Sequence, residues 1–340
     1  MTIYHSSKTN SWQTALINAV TQPKELLERL ELDMSLLDKA ISAAKLFPLK
    51  VPLSFIARMK KSDPNDPLLR QVLPLGEELL NYPNYNADPL EEARANPIPG
   101  LLHKYHGRAL LIFTGSCGIN CRFCFRREFP YEDNAPGTTG WNHALDYIAQ
   151  NKTLSEIILS GGDPLIANDP TLKNLTLKLA EIPHIKRLRI HTRMPIVLPE
   201  RITPELVAWM SATRLKTILV THCNHPQELN EEVKTAMQLL SQANISLLNQ
   251  AVLLKGINDN VETLVQLSEK LFDCGILPYY LHVLDKVQGA QHFDLDLATA
   301  RELHQQLTHQ LSGYLVPKLA CEQPGAPAKL LLSTSEFYTG

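Results

Sequence analysis

The hydrophobic and polar positions of the first hundred residues follow a helical period that prolines interrupt. Residues 23–32 place leucines at helical spacing with charged side chains between them, and residues 35–47 repeat this pattern. Residues 81–100 contain too many prolines for regular structure. We therefore predict two helices followed by a linker or wrapping arm, which together form an N-terminal region over residues 1–100.

From residue 101 the pattern changes to short apolar runs that alternate with helical segments. Helical patterns at residues 203–213 and 260–272 are two of these segments. The apolar runs are rich in Val, Ile and Leu, which is typical of strands covered on both faces. Consecutive strand–helix units predict parallel strands joined by right-handed crossovers. The predicted strands span residues 108–115, 156–162, 187–193, 216–222, 245–254 and 277–285.

The fold class that these units predict is α/β, with a partial (β/α)6 barrel of the TIM type over residues 101–300. Polar residues follow the C-terminal ends of the strands, which is where barrels place their active sites. This placement favours a curved, incomplete barrel over a flat, doubly wound sheet. A short C-terminal segment, residues 301–340, completes the predicted organisation.

The composition narrows the classes of partner. The chain has 340 residues and a formal net charge of -2, so it offers no basic surface for nucleic acid. Its apolar runs are shorter than the ~18 residues that a membrane span needs. Its polar N-terminus lacks the apolar segment of a signal peptide. We predict a cytoplasmic protein that binds neither nucleic acid nor membrane.

The candidate metal ligands are cysteines in one short segment, CGINCRFC, which directly follows the first predicted strand. Cys117, Cys121 and Cys124 have the spacing CxxxCxxC. Three thiolates can bind three irons of a four-iron cluster and leave one iron open to chelate S-adenosylmethionine, whereas electron-transfer clusters are normally closed by four cysteines. A disulfide is disfavoured because cytosolic thiols stay reduced. A structural zinc site remains the alternative, although zinc hooks usually come as paired CxxC motifs.

Other segments carry candidate ligand-binding residues. Residues 160–163, Ser-Gly-Gly-Asp, follow the second predicted strand, where glycines allow a ligand to approach the backbone closely or simply form a turn. His222 and Asn224 follow the fourth strand, at the expected mouth of the barrel. Lys329 precedes a predicted apolar strand at residues 330–332 and could form a Schiff base with an aldehyde cofactor. Most lysines in such a setting are merely solvated.

Several sequence runs between residues 88 and 329 together match a known pattern. They are DPLEE, PGLLHKYHGRALL, CGINCRFCFRR, SGGDPL, LRIHTRMPIVLPERI, THCNHP, LLNQAVLLKGIND and PYYLHVLDKVQGAQHF. In content and order they resemble the lysine 2,3-aminomutase family of radical S-adenosylmethionine enzymes. The resemblance implies a radical S-adenosylmethionine barrel with a [4Fe-4S] cluster, S-adenosyl-L-methionine and pyridoxal 5'-phosphate. Besides the three cysteines, the residues implied to bind these cofactors are Lys329, Lys104, Arg108, Ser160, Gly161, Gly162, Asp163, Arg193, His222, Asn224 and Gln250.

The resemblance also implies catalytic roles around the substrate. Lys329 is implied to carry pyridoxal phosphate, and Arg126 to clamp the substrate carboxylate through its bidentate fork. Asp285 and Glu322 are implied to receive the distal ammonium. Two carboxylates far from the clamp suit a cationic side chain, which favours L-lysine over glutamate. The alternatives are an aminomutase for glutamate or arginine, and a non-catalytic zinc or iron–sulfur module.

The implied reaction is the isomerisation of L-α-lysine to β-lysine, in its R form. A 5'-deoxyadenosyl radical takes hydrogen from the β-carbon, nitrogen migrates from the α- to the β-carbon, and hydrogen returns. The resemblance implies an external electron donor of the flavodoxin type and a ligase that attaches the product to elongation factor P. The chain departs from the family in the stiffer PGAPA loop before Lys329 and in having no cysteines after it, so we predict no structural zinc.

Overall fold

A nine-stranded sheet organises the fold in a computed structural model that describes residues 12–134 and 140–332. The strands lie side by side in chain order. They are β1 Leu101–Tyr105, β2 Arg108–Thr114, β3 Glu156–Gly161, β4 Arg187–Thr192, β5 Lys216–Thr221, β6 Ser246–Val252, β7 Leu277–His282, β8 Lys318–Cys321 and β9 Leu330–Leu331. Strands β2 to β8 are parallel, whereas β1 pairs with β2 and β9 pairs with β8 in antiparallel fashion.

The α/β fold class and the predicted strands are confirmed, and the structure adds two strands to them. Strand β8 is a seventh parallel strand of only four residues, too short for a periodic signal. Strand β1 forms a hairpin with β2, in which Tyr105 pairs with Arg108 across the turn of His106 and Gly107. Gly107 has a φ of +79°, a conformation that glycine adopts without strain. The parallel sheet therefore extends one strand beyond the predicted six.

Helices cover the sheet, and several of them begin at polar caps. The side chains of Asn168, Asn230 and Asn260 each accept a hydrogen bond from a backbone N–H in the first turn of the helix that follows. None of the helices in the described ranges is long and apolar enough to cross a membrane. The helices are α1 Trp12–Ile17, α2 Pro23–Arg29, α3 Leu37–Leu46, α4 Leu53–Ile56, α5 Pro67–Arg70, α6 Tyr131–Asn134, α7 Gly140–Gln150, α8 Asp169–Glu181, α9 Met194–Val197, α10 Pro204–Ser211, α11 Glu231–Gln242, α12 Val261–Asp273 and α13 Leu297–Gln310.

The sheet curves until its two ends approach each other. The Tyr105 hydroxyl on β1 lies 3.4 Å from a carboxylate oxygen of Glu322, which directly follows β8. Lys104 Nζ, also on β1, lies 3.7 Å from the same oxygen. Within residues 12–134 and 140–332, no strand pairing joins the two ends of the sheet. The result is an open barrel whose gap is bridged by side chains.

The N-terminal region packs directly on the barrel. Phe55 and Leu69 belong to the same hydrophobic core as Ile190 on β4 and Leu219 on β5. The predicted wrapping arm crosses the loop after β7, where the backbone of Asn86 exchanges hydrogen bonds with that of residues 286 and 288. The domain boundaries at residues 100 and 300 stay predictions.

Candidate active site

The cysteine segment forms the loop after β2. Cys117, Cys121 and Cys124 are unpaired and only partly exposed. Burial raises the pKa of the Cys117 thiol, and the neighbouring Cys124 raises it further. Burial, followed by Cys121, likewise raises the pKa of Cys124 to about 11. Thiols that oppose one another's ionisation need added positive charge to become thiolates, and iron supplies such charge.

The described residues contain no group of three or more His, Cys, Asp or Glu side chains arranged around one metal ion. In a four-iron cluster each cysteine binds a different iron, so the sulfurs need not converge on one point. The donor set therefore fits a four-iron cluster.

The Ser-Gly-Gly-Asp segment at the end of β3 packs against the cysteine loop. Gly162 lies so close to that loop that a Cβ there would be 2.2 Å from the carbonyl oxygen of Ser116. The Asp163 backbone N–H donates to the same oxygen at 2.8 Å. The Asp163 carboxylate accepts from the backbone N–H groups of residues 165, 193 and 194 and from the Thr192 hydroxyl. The glycines thus leave room for the backbone of the cysteine loop, and Asp163 holds together the ends of β3 and β4.

Arg193 links the cysteine loop to the N-terminal region. Its guanidinium lies 2.8 Å from the Cys121 sulfur, and it also donates to Gln71 at 2.6 Å and to Glu228 at 2.9 Å. Asn224 is buried in the same network, where its side-chain amide donates to Gln71 at 3.0 Å. Sequence reasoning missed Gln71, because its partners Arg193 and Asn224 lie more than a hundred residues away, and Glu228, because its partner Arg193 follows another strand.

A chain of ion pairs runs along the open side of the barrel. Arg126 forms a bidentate pair with Glu92, at 2.7 and 2.9 Å, and also donates to Ser160 at 3.2 Å. Glu92 accepts from Lys104 at 3.0 Å, and Glu322 pairs with both Lys104 and Lys329. The structure thus joins the predicted residues Arg126, Lys104, Glu322 and Lys329 through Glu92.

The pKa values of the two carboxyl groups beside Lys329, those of Glu322 and Asp285, are shifted in opposite directions. Burial would raise the pKa of Glu322, but Lys329 and Lys104 overcome this effect and hold it at about 2. Burial, with Glu322 second, raises the pKa of Asp285 to about 7. Among the hydrogen bonds of the described residues, none involves the Asp285 carboxylate, so Asp285 can bind an incoming cation.

Two neutral histidine rings lie near Lys329, whose charge lowers the pKa of each. Burial lowers the pKa of His222 and of His282 to about 3 in each case, helped by neighbouring cations. The side-chain amide of Gln250 lies 3.1 Å from the His222 ring. The Lys329 ammonium lies 5.7 Å from the centre of the Tyr280 ring, and Arg108 packs on the Tyr105 ring at 4.6 Å. Of these residues, His282, Tyr280 and Tyr105 were not predicted as site residues, although the first two lie in the predicted strand at residues 277–285.

Comparison with known proteins gives a consistent group of relatives. The chain is 52% identical to the L-lysine 2,3-aminomutase of Escherichia coli, over 94% of this chain and 93% of that enzyme. It is 50% identical to the L-lysine 2,3-aminomutase of Haemophilus influenzae, over 94% of this chain and 95% of that enzyme. It is 36% identical to that of Clostridium subterminale, over 94% of this chain and 77% of that enzyme.

Other comparisons add little. No protein-family model matches the chain. Among solved structures, a radical SAM methyltransferase from Sphaerobacter thermophilus is similar at a TM-score of 0.45 and 16% identity, over 65% of this chain and 68% of that one. That likeness is too slight to support an argument.

Proposed function

Because the chain belongs to the L-lysine 2,3-aminomutase family, we propose that it is an isomerase which converts L-α-lysine to β-lysine. The observation that carries the choice of substrate is the pair of carboxylates, Asp285 and Glu322, beside Lys329. The Asp285 carboxylate has no hydrogen-bond partner in the described parts of the chain, and its pKa is raised to about 7 by burial and by Glu322. A cationic substrate side chain would give the Asp285 carboxylate a partner and would lower its pKa.

The cofactors in this proposal are a [4Fe-4S] cluster, S-adenosyl-L-methionine and pyridoxal 5'-phosphate. Cys117, Cys121 and Cys124 would hold the cluster, and Lys329 would hold pyridoxal phosphate, with Lys104 and Arg108 beside its phosphate. When bound, the first two groups supply a carbon-centred radical, and pyridoxal phosphate supplies a conjugated system through which nitrogen migrates. Residues 160–163, His222 and Asn224 remain proposed contacts of S-adenosylmethionine, and Arg193 and Gln250 remain proposed cofactor-binding residues.

The protein's own side chains bind and orient the substrate. Arg126 is buried and presents a planar fork suited to a carboxylate, although Glu92 holds that fork in the present arrangement. The substrate carboxylate can therefore bind Arg126 only if Glu92 shares Arg126 with it, or if Glu92 leaves Arg126 and keeps its ion pair with Lys104 alone. At the other end, the lysine ammonium would lie between Asp285 and Glu322. The neutral histidines add no positive charge that would repel it.

Lys329 must exchange its partner for the cofactor. Its ammonium now pairs with Glu322, and forming a carbonyl adduct requires the loss of a proton from Nζ. The Glu322 carboxylate would then keep Lys104 and accept the substrate ammonium in place of Lys329. Glu322 would thus pair with Lys329 before the cofactor binds and with the ammonium of the lysine substrate afterwards.

The finer parts of the proposal concern partners. The product would be the R form of β-lysine, delivered to a ligase that modifies elongation factor P, and the electron would come from a flavodoxin-like donor in the cytoplasm. These statements rest on the resemblance of the sequence runs, including HVLDKVQGA.

The decisive experiment is incubation of reduced, anaerobically reconstituted protein with isotopically labelled L-lysine. We expect labelled β-lysine, and we expect none from a Lys329→Ala variant. Labelled glutamate and arginine are supplied in parallel. Formation of β-glutamate or β-arginine in place of β-lysine would contradict the assignment of substrate, and a protein that does not cleave S-adenosylmethionine would contradict the assignment of reaction class.

A further inference from the structure

The cysteine loop is held from outside by the N-terminal region. The Asn120 backbone N–H donates to the carbonyl of Lys50 at 3.0 Å, and its side chain donates to the carbonyl of Pro48 at 2.9 Å. The Arg122 backbone N–H donates to the carbonyl of Gln71 at 2.9 Å. These bonds cross from the loop to residues some fifty to seventy positions earlier in the chain, so the loop does not keep its shape through local contacts alone.

Glu78 lies at the centre of this contact. Its carboxylate accepts from Arg122 through both oxygens and from Arg127 at 2.9 Å. The side chains of Glu78 and Arg122 are fully buried, and that of Arg127 is 2% exposed. Arg122 lies between Cys121 and Cys124, and Arg127 lies three positions after Cys124. One buried carboxylate therefore fixes the chain on both sides of Cys124.

An aromatic ring and a carbonyl complete the anchorage. The guanidinium groups of Arg122 and Arg127 lie 4.9 and 4.8 Å from the centre of the Phe47 ring. The Phe47 carbonyl accepts from Arg122 at 2.7 Å. Without Glu78, two guanidinium groups would be buried together against this ring, and the nearest carboxylate in an ion pair with them would be that of the exposed Glu128, 3.8 Å from Arg127 Nε. Repulsion between the two cations and the cost of desolvation would then drive the loop away from its present shape.

We propose that Glu78 is a positioning residue that holds the cysteine loop in the shape that binds the iron–sulfur cluster. The inference rests on the proposed function, because it takes Cys117, Cys121 and Cys124 as the ligands. It assigns a role to the N-terminal region, which contributes no ligand of its own. Groups that orient metal ligands without touching the metal commonly change metal affinity about 10-fold to 100-fold when they are removed.

The test is Glu78→Gln, which keeps the shape of the side chain and removes its charge. The matched control is Glu77→Gln, the same change at the adjacent residue, whose side chain has no ion pair among residues 12–134 and 140–332. Each protein is reconstituted anaerobically, and its cluster is then competed away with an iron chelator while visible absorbance and iron content are followed. Separately, binding of pyridoxal phosphate to Lys329 is measured by absorbance, and thermal unfolding is measured before iron is added.

We expect Glu78→Gln to weaken retention of the cluster about 10-fold to 100-fold and to lower the melting temperature of the iron-free protein, because two buried guanidinium groups lose their carboxylate. Glu78→Gln should still bind pyridoxal phosphate as the unsubstituted protein does, and Glu77→Gln should change none of these three properties. Equal retention in both variants would overturn the inference. Loss of pyridoxal phosphate together with the cluster would also overturn it, because Glu78 would then support the whole fold. If the unsubstituted protein takes up no cluster, the proposed function itself fails, and the inference fails with it.

Discussion

Near Lys329, cationic side chains and carboxylates alternate along a chain of ion pairs. Lys329 and Lys104 share Glu322, while Lys104 and Arg126 share Glu92. Asp285 has no such partner in the described residues, although its pKa responds to Glu322 and Lys329. At the residue scale, these three cations equal the three carboxylates in number, but Asp285 is the carboxylate that forms no ion pair among the described residues. The ammonium of a lysine substrate would supply its partner.

Replacing Asp285 with Asn tests this reading through kinetics. We expect kcat/KM for lysine to fall by about 10-fold to 100-fold, because hydrogen bonds to charged groups contribute about 1.5–3 kcal/mol. The control is Asp273→Asn, an exposed site at the end of α12, which should leave kcat/KM unchanged. Unaltered lysine turnover in the Asp285→Asn variant would place the ammonium elsewhere.

The same residue makes the stability of the ligand-free protein depend on pH. The pKa of Asp285 is raised from 3.8 to about 7 by burial and by Glu322. The folded protein therefore binds more protons at this site than the unfolded chain does between these pH values, so the contribution of Asp285 to stability falls as pH rises through that window.

Asp285→Asn removes this dependence. Its melting temperature should exceed that of the unsubstituted protein at pH 8, and the difference should shrink toward pH 5, as measured by calorimetry on ligand-free samples. The Asp273→Asn variant, compared in the same buffers, should show no such trend. A difference that is constant across pH would mean that Asp285 does not titrate in this window.

At the scale of elements, the cysteine loop depends on the end of β3. Gly162→Ala would place a Cβ 2.2 Å from the Ser116 carbonyl oxygen, so backbone must move. We expect a loss of about 1–3 kcal/mol in the free energy of unfolding, as is usual for overpacking, together with weaker retention of iron. The matched control is Gly313→Ala, where a Cβ meets nothing within 4 Å. Chemical denaturation measures the first effect and iron analysis the second. Equal free energies of unfolding for Gly162→Ala and Gly313→Ala would show that the cysteine loop moves away from the added Cβ without loss of stability.

At the scale of the whole molecule, the N-terminal region and the barrel share one hydrophobic core. Trp12 of the N-terminal region lies 4.4 Å from the guanidinium of Arg201, whereas Trp209 on α10 belongs to the barrel and donates to Asp169 at 3.0 Å. Because their surroundings are continuous, we expect both regions to unfold in one transition.

Two variants that each retain one of these tryptophans, with Phe at the other tryptophan positions, report on the two regions separately by fluorescence. Their denaturation midpoints should coincide, and each variant's midpoint by circular dichroism should match its fluorescence midpoint. An earlier transition for Trp12 would show that the boundary predicted at residue 100 separates regions that unfold independently.

Local sequence patterns predicted much of this fold and part of the candidate site. Apolar runs with helical segments between them predicted the strands β2 to β7, because burial on both faces of a parallel sheet demands continuous apolar residues. The spacing of Cys117, Cys121 and Cys124 predicted a metal site, because ligands within one short loop are close wherever the loop lies. The roles of Lys329, Arg126, Asp285 and Glu322 came from resemblance to a family and stay proposals.

Long-range contacts were beyond the reach of such patterns. Glu78 and Gln71 come from short helical segments, and nothing in these segments distinguishes them from surface polar residues. Glu92 ends the DPLEE run, which indicated the family but not the partners of this residue. Their partners are chosen by how the N-terminal region folds over the barrel, which brings together residues that are 34 to 157 positions apart. Periodicity records which face of an element is buried, but the pairing of two buried charges depends on where both elements lie in space.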